Sequence, residues 1–443
     1  MTKAIFYKLD NVRDLNGRIL DKIGFKDFVL LVLLIANSIT NIAFFDRKDV
    51  QLMTMLLFGL YFLYKYKRFD SIIYKILIYA FFVQFFSMIR FDQVRLDRFL
   101  SLGLLYTRLL LPYFILRIGG EGFLLKFEKF SFYLILIGLP LFFLVHHVPG
   151  VGSFLRQFDI DSIEEQRQAG GWNIFVFVYS GWAGYRFCGY AYEPGGMALM
   201  ITISWVIYII YYGAKVNARV LIYAFAMILT FSTTGYMALL ALLVFYSYIN
   251  LKAKNLIKFS ISIFIIVVGF SLAYKQDFIS KKISEYIKRD QEIRLSSGGY
   301  EQYDYQFAGR LGAIYVAIKN IEKWPLGYGS VDNGRMKSRW GGVLDGANGV
   351  AQFFTTWGIL GGIFLIYSLF LLVKRFHSER YLIGRILLLL AIILEFSSNS
   401  IAGRAITYVV ILYPYLYLKN TPIRAPLRKP DSLNIKTKNT IPV

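Results

Sequence analysis

The sequence predicts an all-α polytopic membrane protein with about twelve transmembrane helices and two large loops on one side. Three observations predict it. Hydrophobic residues make up 56 % and aromatics 18 % of the 443 residues, against 18 % charged, and mean hydropathy is +0.50. A soluble or disordered chain carries far more polar surface. The apolar residues fall in continuous runs of the length that crosses a hydrocarbon core of about 30 Å as helix, without the alternation of a membrane β-barrel. Basic residues cluster between alternate runs, which sets an orientation.

The runs are 27–45, 50–64, 71–89, 99–116, 130–146, 195–212, 220–232, 235–250, 259–274, 349–373, 386–400 and 404–418. Several are short, which suits tilted helices or helices covered by neighbours. Residues 1–26 are polar with six basic residues, unlike a cleavable signal peptide. The tail 419–443 holds four prolines and reads as disordered. With the N-terminus in the cytoplasm, inside segments carry 27 Lys and Arg and the short outside loops carry 5. Both termini are then cytoplasmic, and the long connections 147–194 and 275–348 lie outside. One choice decides this: the turn-like Ser232-Thr233-Thr234-Gly235 splits 220–250 into two helices. A single helix there would move 275–348 to the cytoplasm. The net charge of +22 is almost wholly on the inside segments, so it describes orientation and contact with anionic lipids, not nucleic acid. One cysteine, Cys188, excludes an intramolecular disulfide. Three histidines and no Cys/His cluster argue against zinc, and no cofactor motif is present.

Candidate site residues fall on the outside. Glu193-Pro194 ends the first loop and opens a span. A carboxylate there suits a helix N-terminus, and equally suits orienting or deprotonating a sugar hydroxyl. Arg186 lies just upstream. In Leu229–Tyr236, hydroxyls and glycine serve packing more often than chemistry. Arg310 opens an amphipathic stretch, followed by Trp324-Pro325-Leu326-Gly327-Tyr328-Gly329. Its planar fork suits phosphate oxygens, with an ion pair as the alternative. Asp345 and Asn348 precede the longest span, where Asn348 also suits a helix cap. Glu395 and Arg404 lie at outer span ends, as a structural ion pair or as the lining of an outward cavity. Lys75 and Arg108 are placed to snorkel or to line the bundle.

The order of these stretches resembles the bacterial O-antigen polymerase and ligase superfamily, membrane glycosyltransferases of the GT-C type that act on undecaprenyl-linked sugars. The resemblance rests on Glu193-Pro194, Ser232–Gly235, Arg310 with Pro325–Gly329, and Asn348 before Gly358-x-x-Gly361, and runs from about 185 to 365. Ligases usually carry a histidine before the aligned asparagine. Ala347 stands there, which favours a polymerase. Many relatives also place an arginine in the Ser-x-x-Gly turn, absent here.

The resemblance implies transfer of a growing glycan from undecaprenyl pyrophosphate to an incoming lipid-linked repeat unit, at the outer face of the bacterial cytoplasmic membrane. The leaving pyrophosphate gains charge, so placed arginines are the expected catalysts, with no metal and no cofactor. Arg310 takes the pyrophosphate in this scheme, helped by Arg186 and Arg404. Glu193 serves the acceptor hydroxyl, with Asp345 and Glu395 in reserve, and Asn348 and Tyr328 contact substrate. The expected partners are the undecaprenyl-pyrophosphate-linked oligosaccharide, membrane lipids and a chain-length regulator. A flippase or other transporter is the alternative, as is ligase activity. Few charges fall within the spans, which counts against a transporter.

Overall fold

The structure, a computed structural model, describes residues 22–38, 40, 42–94, 96–160, 162, 164–181, 183–250, 284, 307–308, 310–332, 334–336, 345–346, 348–376, 382–398 and 403–418. Its helices in order are α1 (Phe25–Ala36), α2 (Ala43–Asp46), α3 (Lys48–Tyr66), α4 (Ser71–Arg90), α5 (Leu96–Gly119), α6 (Phe123–His147), α7 (Val151–Arg156) and α8 (Glu164–Gln168). There follow α9 (Pro194–Tyr212), α10 (Ala218–Leu229), α11 (Thr233–Asn250), α12 (Arg310–Lys323), α13 (Gly349–Lys374), α14 (Leu382–Phe396) and α15 (Ala405–Tyr413), which ends in a π-helical turn, Pro414–Leu418. Two short strand pairs complete the described residues. β1 (Trp172–Asn173) is antiparallel to β2 (Val178–Tyr179), and β3 (Phe307–Ala308) is parallel to β4 (Asp345–Gly346).

The fold is that of a mostly helical, polytopic membrane protein. Four helices, α4, α6, α9 and α13, are long and apolar enough to cross a bilayer, and Ala218–Leu229, Thr233–Ile249 and Ala405–Tyr417 are shorter apolar helices. Helix length thus accounts for four of the twelve expected spans, and the expected span 259–274 lies outside the described residues. Span 27–45 needs correction. Helix α1 stops at Ala36 because the next polar side chains bond back to its last turn. Asn37 Nδ2 donates to Leu33 O (2.8 Å), Ser38 Oγ to Leu34 O (2.6 Å) and Thr40 Oγ1 to Ala36 O (3.3 Å). Such local bonds compete with the helical ladder.

Helix α9 is the central pillar. Its residues from Gly196 to Ile209 are buried on every side, as expected of a helix that is apolar all round. Trp205 donates to Tyr246 OH on α11 (3.1 Å) and stacks on Tyr223 of α10. On another side, Ser204 Oγ bonds Ser131 Oγ of α6 (2.8 Å), which bonds Tyr190 OH of the first loop (2.6 Å). Within lipid, close packing and hydrogen bonds such as these hold helices together, at roughly 0.6 kcal/mol per bond.

One end of the bundle gathers ion pairs between helix termini. Asp70 pairs with Arg117 and Asp27 with Lys126, both at 2.9 Å, and Glu121 with Arg375 at 4.0 Å. Arg219 Nη1 donates to both oxygens of the fully buried Glu128 (2.9 and 3.0 Å), Tyr223 OH donates to the same carboxylate (2.7 Å), and the guanidinium lies over the Phe132 ring. These two charges belong inside helices. Both α6 and α10 begin ahead of the apolar runs 130–146 and 220–232, so the sequence reading left the pair out of the spans. This is the end that the sequence assigns to the cytoplasm.

The ladder of contacts fixes direction for the other helices. Tyr211 and Tyr413 join hydroxyl to hydroxyl near the Glu121 carbonyl, and Tyr417 OH donates to Leu116 O (2.9 Å). The N-termini of α9, α13 and α15 therefore point to the far end. Helices α10 and α11 form a hairpin rather than one rod. Asn217 contacts Tyr208 low on α9, while Leu229 O and Gly235 lie beside Phe187 and Ala198 near its start. The break expected at Ser232–Gly235 is present.

Candidate functional site

The far end carries three groups of candidate residues, around the starts of α9, α13 and α15. The first surrounds the start of α9. Glu193 is its N-cap residue in extended conformation and Pro194 its first residue, but the Glu193 side chain makes no capping bond. Arg186 folds onto the hairpin turn, where Nε donates to Thr230 O (3.2 Å) and Nη2 to Phe231 O (3.1 Å). These are end carbonyls of α10, and a cation there is favoured by the helix dipole. The turn is tight. Phe231 adopts a left-handed backbone (φ 46°), Ser232 Oγ accepts from Gly235 N (3.3 Å), and a Cβ at Gly235 would come within 3.0 Å of Ala198 Cβ. The hydroxyl cluster therefore serves packing. Cys188 is buried here, and burial pushes its thiol up to about 12, with Arg186 pulling it down and Glu193 pushing it up.

Sequence reasoning missed His147. Its Nε2 lies 3.0 Å from Tyr185 OH, with the His146 ring 4.7 Å from the same tyrosine ring, next to Arg186. Only the long loop's return path brings them together, so no local sequence signal marks them.

The second group surrounds the start of α13. The parallel pairing of Ala308 with Gly346 brings Arg310, at the head of α12, and Asp345 to the same backbone neighbourhood as Asn348. Asn348 is a helix cap, its Oδ1 accepting from Ala351 N (3.0 Å). Helix α13 is broken at Gly358, whose φ of 71° and ψ of −174° belong to a region open essentially to glycine alone. The loop Trp324–Ser330 docks into the break. Tyr328 N donates to Thr355 O (3.0 Å), Gly329 N to Thr356 O (2.9 Å), and Ile359 N to Pro325 O (3.0 Å). Helix α4 holds the loop from behind. Ser87 Oγ donates to Gly327 O (2.6 Å), Trp324 Nε1 to Ser87 Oγ (2.9 Å), and Ser330 N to Gln84 Oε1 (2.8 Å). Tyr328 is fully buried, stacked on Phe91 and donating to Asn320 O (3.1 Å). Burial raises its hydroxyl above the usual phenol range. Its place supports the loop rather than an open surface.

The third group surrounds α15. Arg404 is its N-cap residue, and Ile406 N donates to Ser38 Oγ at the end of α1 (2.9 Å). Glu395 is fully buried, its Oε2 accepting from Ser398 Oγ (3.3 Å). Arg186, Glu193, Tyr328, Asn348 and Arg404 lie on loops and helix starts, Glu395 lies at the last turn of α14, and the backbones of Arg310 and Asp345 lie beside Asn348. Among the described residues, no group of three or more His, Cys, Asp or Glu is placed to hold a metal ion.

A family model described as O-antigen ligase matches residues 218–366, about a third of the chain. The match supports the O-antigen polymerase and ligase superfamily. It covers the α10–α11 hairpin, Arg310, the docked loop, Asn348 and the break at Gly358, and leaves out Arg186, Glu193 and Arg404. No curated protein and no solved structure matches the chain.

Proposed function

We propose that the chain is a polysaccharide polymerase that transfers a growing glycan from undecaprenyl pyrophosphate to an incoming lipid-linked repeat unit, at the outer face of the cytoplasmic membrane. One observation carries this reading. The matched segment 218–366 folds so that an arginine-headed helix, α12, and the capped start of α13 share the end of the bundle where Glu193 opens α9. An arginine-headed helix and a helix opened by a glutamate at one end of the bundle support this reading.

The chemistry follows from those parts. The acceptor hydroxyl oxygen attacks the anomeric carbon as the bond from that carbon to the pyrophosphate oxygen breaks. Arg310, with Arg186 and Arg404, stabilises the charge that grows on the leaving pyrophosphate. Glu193 takes the hydroxyl proton. Neither step calls for a metal when the arginines supply the positive charge. The second reading, ligase activity, is favoured by the description of the matching family. Ala347, where ligases carry a histidine, favours the polymerase.

The test is a purified full-length protein incubated with lipid-linked repeat units. A polymerase lengthens the lipid-linked glycan. A flippase leaves it unchanged, and a ligase acts only when lipid A-core acceptor is added. In cells lacking the protein, Arg310→Ala or Glu193→Ala at equal expression should abolish the polymer ladder. A normal ladder with either variant overturns that residue's assigned role.

A further inference from the structure

Helix α12 carries Arg310 at its head and packs on α13. One face of the helix is buried. Ala313, Val316, Ala317 and Asn320 follow one another at helical spacing and are 2–4 % exposed. Ile314 and Ile318 are exposed on the other side. Small apolar side chains make the buried face smooth. They permit close approach, but they fit nearly as well one turn further along, a slip of about 5.4 Å. Asn320 is the polar member of the four. A buried asparagine among apolar neighbours fixes register, because a slipped arrangement leaves polar groups unpaired.

The partners of Asn320 come from the docked loop and the segment that follows it. Asn320 Oδ1 accepts from Met336 N (2.9 Å), and its backbone carbonyl accepts from Tyr328 OH (3.1 Å). Met336 is buried too, so its amide has no water to turn to once the asparagine side chain is gone. The segment is tied in turn to the break in α13. Arg335 Nη2 donates to Gly329 O (2.7 Å), the Arg335 guanidinium lies over the Tyr328 ring, and Gly329 N donates to Thr356 O. A Cβ at Gly334 would overlap the Phe91 ring at the end of α4, so the segment fits closely there. The path from Gly358 to α12 is continuous, and it ends on one side chain.

We infer that Asn320 is a positioning residue. It sets the register of α12 and so decides where Arg310 stands, ten positions or about 15 Å away along the helix. For what Arg310 does there, this rests on the proposed function; the register itself does not. Asn320 touches no reacting atom in this scheme.

The experiment uses full-length protein in detergent with Ala313→Cys, which puts a thiol on the buried face one turn from Arg310. The native thiol, Cys188, is buried elsewhere in the bundle and serves as the internal control. Maleimide labels a buried thiol only when its cover opens, so the rate counts openings. Asn320→Ala should raise labelling at position 313 about fivefold to a hundredfold, the value of a buried amide left unpaired. Tyr328→Phe keeps the ring and loses the second tie, and should raise it about fivefold. Labelling of Cys188 should stay as it was in both. Unchanged labelling at 313 in Asn320→Ala, or in Tyr328→Phe should the first variant not fold, overturns the inference. An equal rise at Cys188 overturns it too, since the whole bundle has then loosened. Elongation kinetics supply the second readout. Asn320→Ala should lower kcat with little change in KM, and its loss should not multiply with that of Arg310→Lys, because both act through one guanidinium position. Losses that multiply reduce Asn320 to a structural residue and overturn its positioning role. The two readings fail separately, because labelling needs no substrate. A wild-type protein that does not elongate removes the polymerase and leaves the register. Unchanged labelling removes the register and leaves the polymerase.

Discussion

Replacing Gly358 by alanine should release the docked loop from α13. The residue's backbone angles cost a side chain about 1–3 kcal/mol by themselves. A Cβ there would also overlap the backbone of Pro325 and Leu326, so loop and helix have to part. Parting removes three backbone hydrogen bonds, from Tyr328, Gly329 and Ile359, at about 1 kcal/mol each. The local loss is then about 4–6 kcal/mol, enough to open the loop a thousandfold more often. Hydrogen exchange followed by mass spectrometry reads this at the amides of Tyr328 and Gly329. Their protection should collapse while that of α9 stays. Gly103→Ala is the control, since a Cβ there meets nothing within 4 Å. Retained protection at both amides in Gly358→Ala would refute the reasoning.

Other outcomes are expected along the chain. Arg219→Met alone should lower stability by about 3–5 kcal/mol, because it strands a buried carboxylate, and Glu128→Leu added to it should recover much of the loss. Thermal unfolding in detergent checks this, and a double variant as unstable as the single one counts against it. Asn348→Ala should cost about 1 kcal/mol through its lost cap and shorten the polymer far less than Arg310→Ala on the same gel. The Cys188 thiol, pushed up by burial to about 12, should resist maleimide in folded protein up to pH 9 and react on unfolding. The sign agrees with linkage: the folded state holds this proton more tightly than the unfolded chain, so stability falls as pH rises above the ordinary thiol value of 9.0. Rapid labelling of native protein at pH 8 would contradict the burial.

The main architecture was legible where composition alone decides it. Runs 71–89 and 195–212 reappear as α4 and α9 within a residue, because continuous apolar sequence leaves helix as the only structure that satisfies its backbone in lipid. Ser232 and Gly235 marked the hairpin because hydroxyls and a missing side chain act locally. Boundaries failed where polar residues extend a helix inward. Glu128 and Arg219 look like loop charges until they find each other across 91 positions of chain. The break at Gly358 was hidden for a related reason. Gly358-x-x-Gly361 reads as close packing, and only Trp324–Ser330, thirty residues away, supplies the partners that let the ladder stop there. Of the site, the sequence marked residues at helix starts and turns. It did not show that Asn348 caps α13 and Tyr328 supports the docked loop.

The docked loop works as a splint across a bent beam. Its backbone clasps the segment before Gly358 through Thr355 and Thr356 and the segment after it through Ile359. Phe353, Trp357 and Leu360 stand on either side of the same bend and wall an apolar groove. The loop that clasps both segments and the side chains that wall the groove therefore meet at one bend. Loop and groove share a single mechanical linkage, at a residue whose only qualification is that it has no side chain.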